Sequence, residues 1–261
     1  MTDTVLRQRD GAIATITINR PAARNALTNE VKVGLLDALG EVAADRAVRA
    51  VILTGAGTAF CAGQDLREHA DLDAAGANPL STVREHYNPM ILAVAGMPKP
   101  VVAALPGVAA GAGAALALAC DFRIAARRAS LLMAFARVGL TADSGASWTL
   151  PRLVGPARAA ELLMLAEPVD AARALDLGLL TAVVDDDELP GAAGALARRL
   201  ADGPTLAYAA IKESLAYAAS HGLADSLARE ADLQERLGQT RDHRAATQAF
   251  LAKQQPEYEG R

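Results

Sequence analysis

Aromatic side chains make up only 3% of the chain: four Phe, four Tyr and one Trp. A core without many large rings must be filled by small aliphatic side chains, so its helices and strands have to pack closely. Hydrophobic residues nevertheless hold 52% of positions. Cysteine is scarcer still. Two residues, Cys61 and Cys120, make no disulfide framework. His69, His86, His221 and His243 show no HxxxH spacing, and the cysteines no CxxC, so no metal is expected. No run of five or six basic residues occurs and the formal net charge is −4, which argues against nucleic acid as a partner. Nor is there an uninterrupted apolar run of ~18 residues that could span a bilayer. The nearest, KPVVAALPGVAAGAGAALALACDF, is broken by Pro106 and its glycines. The opening MTDTVLRQRD carries acids early and lacks the apolar stretch of a signal peptide. These absences point to a cytoplasmic enzyme without membrane or nucleic-acid partners.

What is present reads as alternating strands and helices. AIATITIN (12–19) alternates and is β-branched, the pattern of a strand. Thr28 then starts a helix in which Val31, Leu35, Leu39 and Val42 recur at helical spacing. VRAVILTG is a buried strand closed by Gly55, and AGTAFCAGQDL a glycine-bearing loop. A helix is expected over 68–86, and STVREHYNPMILAVAGM is helical with Pro89 as a break or kink. KPVVAAL is a strand, PGVAAGAG a loop, AALALAC a short helix, and DFRIAA and ASLLMAF further strands. Beyond about residue 187 the strand signal disappears and helices run on, interrupted near Gly203-Pro204 and Gly222. The fold class is α/β, with a core over 1–187 and a helical region over 188–261.

Two loops carry the first hint of chemistry. AFCAGQDL (59–66) and PGVAAGAG (106–113) each leave a strand, and the second opens a helix. Small residues there let a ligand approach the main chain. The first N–H groups of a helix have no partner within it. Two such groups converging on one oxygen would stabilise an oxyanion; tight turns with close strand–helix packing are the plainer reading. GVAAGAG fits a dinucleotide loop poorly, because its glycines are misplaced. Downstream, GLTADSGASWTLPRLVG sets Asp143 among small and apolar residues. Such a carboxylate is either a helix cap or a working group whose pKa burial raises. Trp148 reads as core packing, and Cys61 as a small buried residue.

Taken together, ATITINRPAARNALT, VILTGAGTAFCAGQDL, YNPMILAVAGMPKPVVAALPGVAAGAGAALALACDFRIA, GLTADSGASWTLPRLVG and ALDLGLLTAVV resemble the crotonase, or enoyl-CoA hydratase/isomerase, superfamily over nearly the whole chain. Within it they look most like the phenylacetate-pathway epoxide isomerases and the enoyl- and dienoyl-CoA isomerases. The resemblance implies a spiral of ββα units with a C-terminal helical trimerisation region, assembled as a trimer or dimer of trimers. It implies an acyl-CoA thioester substrate of fatty acid or aromatic catabolism, with coenzyme A as part of the substrate and no separate cofactor. The thioester oxygen would sit between the N–H groups of Gln64 and Ala112, with Gly111 and Gly113 flanking the second donor. Coenzyme A would lie along Arg24, Ala62, Gln64, Asp65, Leu66 and Arg67, with Arg24 and Arg67 facing its phosphates. Phe250 and Lys253 fall where a neighbouring subunit's tail completes the pocket.

The departures from the family pattern narrow the reaction. The two hydratase glutamates correspond here to Ala115 and Phe135, neither of which transfers a proton; Phe135 would line the acyl pocket or pack in the core. Asp143 matches the aspartate that acts as base in the dienoyl- and epoxide-isomerase branches. It also matches the nucleophile of the aryl-CoA dehalogenase branch. The expectation is an acyl-CoA isomerase. Hydration, covalent catalysis by Asp143 in a dehalogenase or thioesterase, and a non-enzymatic binding module are the alternatives.

Overall fold

The computed structural model describes residues 3–261. The chain begins with an antiparallel hairpin, β1 (Val5–Asp10) and β2 (Ile13–Ile18). β1 escapes the hydrophobic pattern because VLRQRD is an edge strand exposed beyond Leu6. α1 (Asn29–Ala44) follows, capped by Thr28, whose Oγ1 accepts the Val31 N–H. Next come β3 (Ala50–Gly55), β4 (Ala59–Cys61), α2 (Leu66–Ala74), α3 (Asn88–Ala95), β5 (Val101–Leu105), β6 (Val108–Ala110), α4 (Ala112–Ala119), β7 (Phe122–Ala126) and β8 (Ser130–Leu132). The second half holds α5 (Ala146–Val154), α6 (Pro156–Leu165), β9 (Val169–Asp170), α7 (Ala171–Asp176), β10 (Ala182–Val184) and the helices α8 (Leu189–Ala201), α9 (Thr205–Ala218), α10 (Leu223–Gly238) and α11 (Arg241–Leu251).

The strands sort into two sheets. β1-β2-β3-β5-β7-β10 form one, parallel from β2 onward, and β4-β6-β8-β9 the other, with β4, β6 and β8 parallel. Each consecutive pair, β3/β4, β5/β6 and β7/β8, therefore gives one strand to each sheet before the chain crosses back. Repetition of that step winds the expected ββα spiral. β4 and β6 lie in stretches that read as loops, because three residues are too few to show a period of two.

Alternation along the large sheet sets its two faces. Val51 and Leu53 of β3, and Val101, Ala103 and Leu105 of β5, face a core shared with α1, α3, α4 and α5. Ala50, Ile52, Val102 and Ala104 face the other way, against Leu189, Ala193, Ala197, Leu200 and Ala201 of α8. Those α8 residues recur at helical spacing, so the first helix of the C-terminal run covers the sheet. α4 is buried over Ala112–Leu118, apolar on all sides, as a helix enclosed by a core must be.

Three expected elements differ. Residues 68–86 do not form one helix. α2 ends at Ala74, Gly76 turns at φ +77°, and a 3-10 turn (Pro79–Ser81) and a π-helical turn (Val83–Tyr87) follow. Pro89 does not break the run: it stands where the π-helical turn passes directly into α3, every residue there in right-handed helical conformation, so it marks a change of helix type. ASLLMAF is a strand only to Leu132; Phe135 lies on a 3-10 turn (Ala134–Val138).

Candidate active site

β4, β6 and β8 are parallel neighbours, so the loops that leave them emerge together at one end of the small sheet. That end is where open α/β sheets place their ligands. Ala62-Gly63-Gln64 follows β4, Gly111-Ala112 follows β6, and Ala134-Phe135 follows β8. All seven of these loop residues line a single cavity of about 230 Å³. Leu66, His69, Leu80, Thr82, Val83 and Tyr87 contribute from the segment between β4 and α3, and Val138, Leu140 and Asp143 from the segment before α5. The wall is mostly apolar. Leu66, Leu80, Val138 and Leu140 are also exposed, which places apolar side chains at its mouth.

Glycine holds the first two loops together. Gly63 has φ +87°, and a Cβ on it would stand 2.7 Å from the Ala110 oxygen. Gly111 adopts φ +51°, ψ −125°, a conformation open essentially to glycine. Two main-chain amides are thereby freed. Leu27 bridges to Gln64 through its own N–H to the Gly63 oxygen and through the Asp65 N–H to its own oxygen. The Gln64 N–H has no part in that bridge and, by the alternation of an extended chain, points to the other side. Ala112 is the first residue of α4, so its N–H has no acceptor within the helix.

Asp143 is half-buried, and its Oδ1 accepts the Ser144 hydroxyl at 2.7 Å. Burial raises its pKa above the ordinary carboxylate range, and the Ser144 hydrogen bond offsets part of the rise. Neither basic neighbour in sequence reaches it. Arg137 donates to the Ala166 oxygen, and Arg152 stacks 4.0 Å over the Trp148 ring. The helix-cap reading of its carboxylate is not what the structure shows. The N-cap of α5 is Gly145, without a side-chain cap, and only the Asp143 main-chain oxygen takes a helix amide. The turn that frees the carboxylate uses left-handed Ser144 and Gly145 in succession.

The remaining expected residues fall in distinct places. Phe135 is buried and lines the cavity, whereas Ala115 is buried behind it. Gly113 does not line the cavity. A Cβ there would meet the Cys61 oxygen at 2.4 Å and its Sγ at 2.7 Å, so this glycine lets α4 press on β4. Cys61 is a buried thiol, its pKa pushed up to about 12 by desolvation. Trp148 is half exposed on the outer face of α5 and not in the core. A second groove, lined by Arg20, Arg24, Gln64, Asp65, Leu66 and Arg67 among others, shares Gln64 and Leu66 with the cavity and so continues from it. Asp65 there is structural: it caps α2 and pairs with Arg20 at 2.9 Å. Arg24 and Arg67 are exposed, and neither guanidinium has a partner among the described residues. Phe250 and Lys253 are exposed and line neither cavity nor groove of their own chain.

Tyr87, Thr82 and Lys32 carry no expected role, yet they form a buried polar cluster at the cavity wall. Two signals mark them. Tyr87 belongs to the YNP motif, and Lys32 falls at helical spacing with Leu35 and Leu39 on the buried stripe of α1. No group of three His, Cys, Asp or Glu side chains is arranged to hold a metal among the described residues.

The same spiral recurs in a Mycobacterium abscessus protein assigned to the enoyl-CoA hydratases/isomerases. Its crystal structure superposes with a TM-score of 0.94 at 46% identity, covering 98% of this chain and 100% of that one. A crotonase fold with a cavity at the ends of its short parallel strands defines an enzyme of the crotonase superfamily. The chain belongs to the enoyl-CoA hydratase/isomerase family, whose sequence model matches residues 8–261. It is 41% identical to the 1,2-epoxyphenylacetyl-CoA isomerase of Escherichia coli over the whole of both chains. It is 44% identical to a Rhodobacter capsulatus protein assigned as an enoyl-CoA hydratase, over 95% of each.

Proposed function

We propose that this enzyme is an acyl-CoA isomerase that moves a proton with one carboxylate, and not a hydratase. The observation that carries the reading is that Asp143 is the only carboxylate lining the cavity among the described residues. The thioester oxygen is held by the N–H groups of Gln64 and Ala112, and its developing negative charge is stabilised there. Asp143 removes a proton α or γ to the thioester and returns it to another carbon, shifting a double bond or rearranging a ring. A raised pKa makes the carboxylate a stronger base for that step. The acyl group occupies the apolar cavity. Coenzyme A follows the adjoining groove, with Arg24 and Arg67 at its phosphates. Similarity to an epoxide isomerase over the whole of both chains, at 41% identity, supports this branch of the family.

Copies of the chain associate as a trimer or dimer of trimers in this reading, and the exposed Phe250 and Lys253 serve a neighbour's site. The decisive experiment compares two reactions. Hydration of crotonyl-CoA needs a group to activate water and one to protonate carbon; with Ala115 and Phe135 in place of two acids it should be slower by ~10² or more. Proton exchange of a 3-enoyl-CoA in heavy water, or migration of its double bond, should proceed and should depend on Asp143. Fast hydration that survives Asp143→Asn would overturn the isomerase reading. Labelled solvent oxygen appearing in Asp143 after turnover would make it a nucleophile instead.

A further inference from the structure

Behind the cavity wall lies a charge that the proposed reaction has not used. Lys32, in the first turn and a half of α1, is 0% exposed. Its Nζ donates to Thr82 Oγ1 at 2.7 Å and to Gln64 Oε1 at 3.3 Å, and lies 5.3 Å from the centre of the Tyr87 ring. The Tyr87 hydroxyl donates to the same Gln64 oxygen. Thr82 Oγ1 also meets His86 Nδ1 at 3.1 Å. Gln64, Thr82 and Tyr87 line the cavity; Lys32 does not. Its hydrogen-bond partners are neutral, and no carboxylate forms an ion pair with it among the described residues. Asp65, Glu68 and Glu85 act on it only from a distance. Asp65 is committed to Arg20 and to the amides of α2, and Glu68 accepts the Asn29 N–H.

Burying an ammonium without a counter-ion is unfavourable, and desolvation accordingly lowers the Lys32 pKa. A methionine would cover the same apolar stem without that cost. Val31, Leu35 and Leu39 do so elsewhere on the helix. The charge therefore needs a reason other than packing. It is held against the side chain of Gln64, a residue that lines the cavity and whose main-chain N–H takes no part in the Leu27 bridge. We propose that Lys32 is a positioning residue of this site: it locks Gln64 and Thr82 in place and sets an unpaired positive charge behind the point where the thioester oxygen becomes negative. The inference rests on the reading of the cavity as a site for a thioester enolate. Charge–charge energies are large in a low-dielectric interior. The oxygen is neutral in the bound substrate and anionic only as the proton leaves. A fixed charge there favours the transition state over the ground state, so its loss falls on kcat and not on KM.

The test uses Lys32→Met and Lys32→Gln in the full-length enzyme. Met removes charge and donor at similar length, and Gln keeps a donor without the charge. Both should lower kcat of Asp143-dependent exchange by ~10-fold or more and leave KM within ~3-fold. Lys32→Met should melt no lower than wild type, because a buried charge has gone. Infrared spectra of bound [1-13C]phenylacetyl-CoA give a readout that packing alone would not move. The carbonyl stretch should fall on binding to wild type and to Asp143→Asn, and fall less in both Lys32 variants. A wild-type kcat and carbonyl shift in Lys32→Gln overturns the role of the charge, whether or not Lys32→Met folds. A wild type that neither exchanges nor shifts the carbonyl overturns the reading of the site, and the role of Lys32 with it.

Discussion

At the scale of single residues, the proposed role of Asp143 ties stability to chemistry. Burial raises its folded-state pKa, so the folded protein holds the proton more tightly than the unfolded chain does. The stability this contributes is complete below the unfolded value, ~3.9, and is lost as pH rises through the folded value. Asp143→Asn, which stays neutral, should therefore melt higher than wild type at pH 7. The difference should close when both are melted near pH 3. The same substitution should cost at least ~10²-fold in turnover, the lower range for a lost general base. In wild type the acid limb of kcat/KM should lie above the ordinary aspartate range, since the base must be ionised to act. A variant that loses stability at pH 7 while keeping its rate would show that the carboxylate serves the fold. The sequence placed Asp143 in the right company, but only the left-handed Ser144-Gly145 turn shows that its carboxylate is kept off the helix.

At the scale of elements, two glycines two residues apart should fail for different reasons. Gly113→Ala forces a Cβ to 2.4 Å from the Cys61 oxygen, both being main-chain or nearly so, and neither can yield cheaply. Overpacking of this kind costs ~1–3 kcal/mol, and it should also push α4, with the Ala112 N–H, away from β4. Gly111→Ala meets no atom within 4 Å; its cost is backbone strain at φ +51°, again ~1–3 kcal/mol. Urea melts should find both destabilised. A second substitution, Cys61→Gly, removes Cβ and Sγ but leaves the main-chain oxygen at 2.4 Å, so it should relieve Gly113→Ala at most in part and Gly111→Ala not at all. Recovery in Gly111→Ala, or full recovery in Gly113→Ala, would contradict this division. Sequence patterning showed that small residues cluster after both strands. It could not separate a glycine kept for its φ from one kept for its missing side chain, because that depends on what lies opposite.

At the scale of the whole molecule, the outer helices carry many exposed apolar side chains. Leu92, Met164, Leu165, Leu215, Leu223, Leu227, Phe250 and Leu251 are all exposed by more than half. Apolar surface on this scale marks association sites. Sedimentation should find a trimer or hexamer, and deletion from about residue 245 should weaken both assembly and coenzyme A binding. That deletion also removes the chain end, where Tyr258 accepts a hydrogen bond from Arg49 and Glu259 and Gly260 donate to buried Asp242. Phe250→Ser is the cleaner variant, since its ring is 82% exposed and holds nothing in its own chain. Loss of assembly in Phe250→Ser with an unchanged unfolding transition would assign the ring to an interface; a fully active monomeric wild type would exclude the assembly.

The sequence alone determined the α/β class, the order of most elements, the helical run after β10, and the two loops that meet at the cavity, because periodicity and glycine placement are local properties. It also singled out Asp143, and its resemblance to the family implied that Ala115 and Phe135 stand where hydratases carry acids. Tertiary structure decided what those residues face. It placed Phe135 on the cavity wall and Ala115 behind it, turned Trp148 outward, gave Asp65 to a helix cap, and moved Gly113 from the pocket to a packing contact. It alone brought Lys32, Gln64, Thr82 and Tyr87 together from three separate segments. Contacts between residues tens of positions apart depend on how the two sheets are wound, and a charge is recognised as buried only once its neighbours are in place.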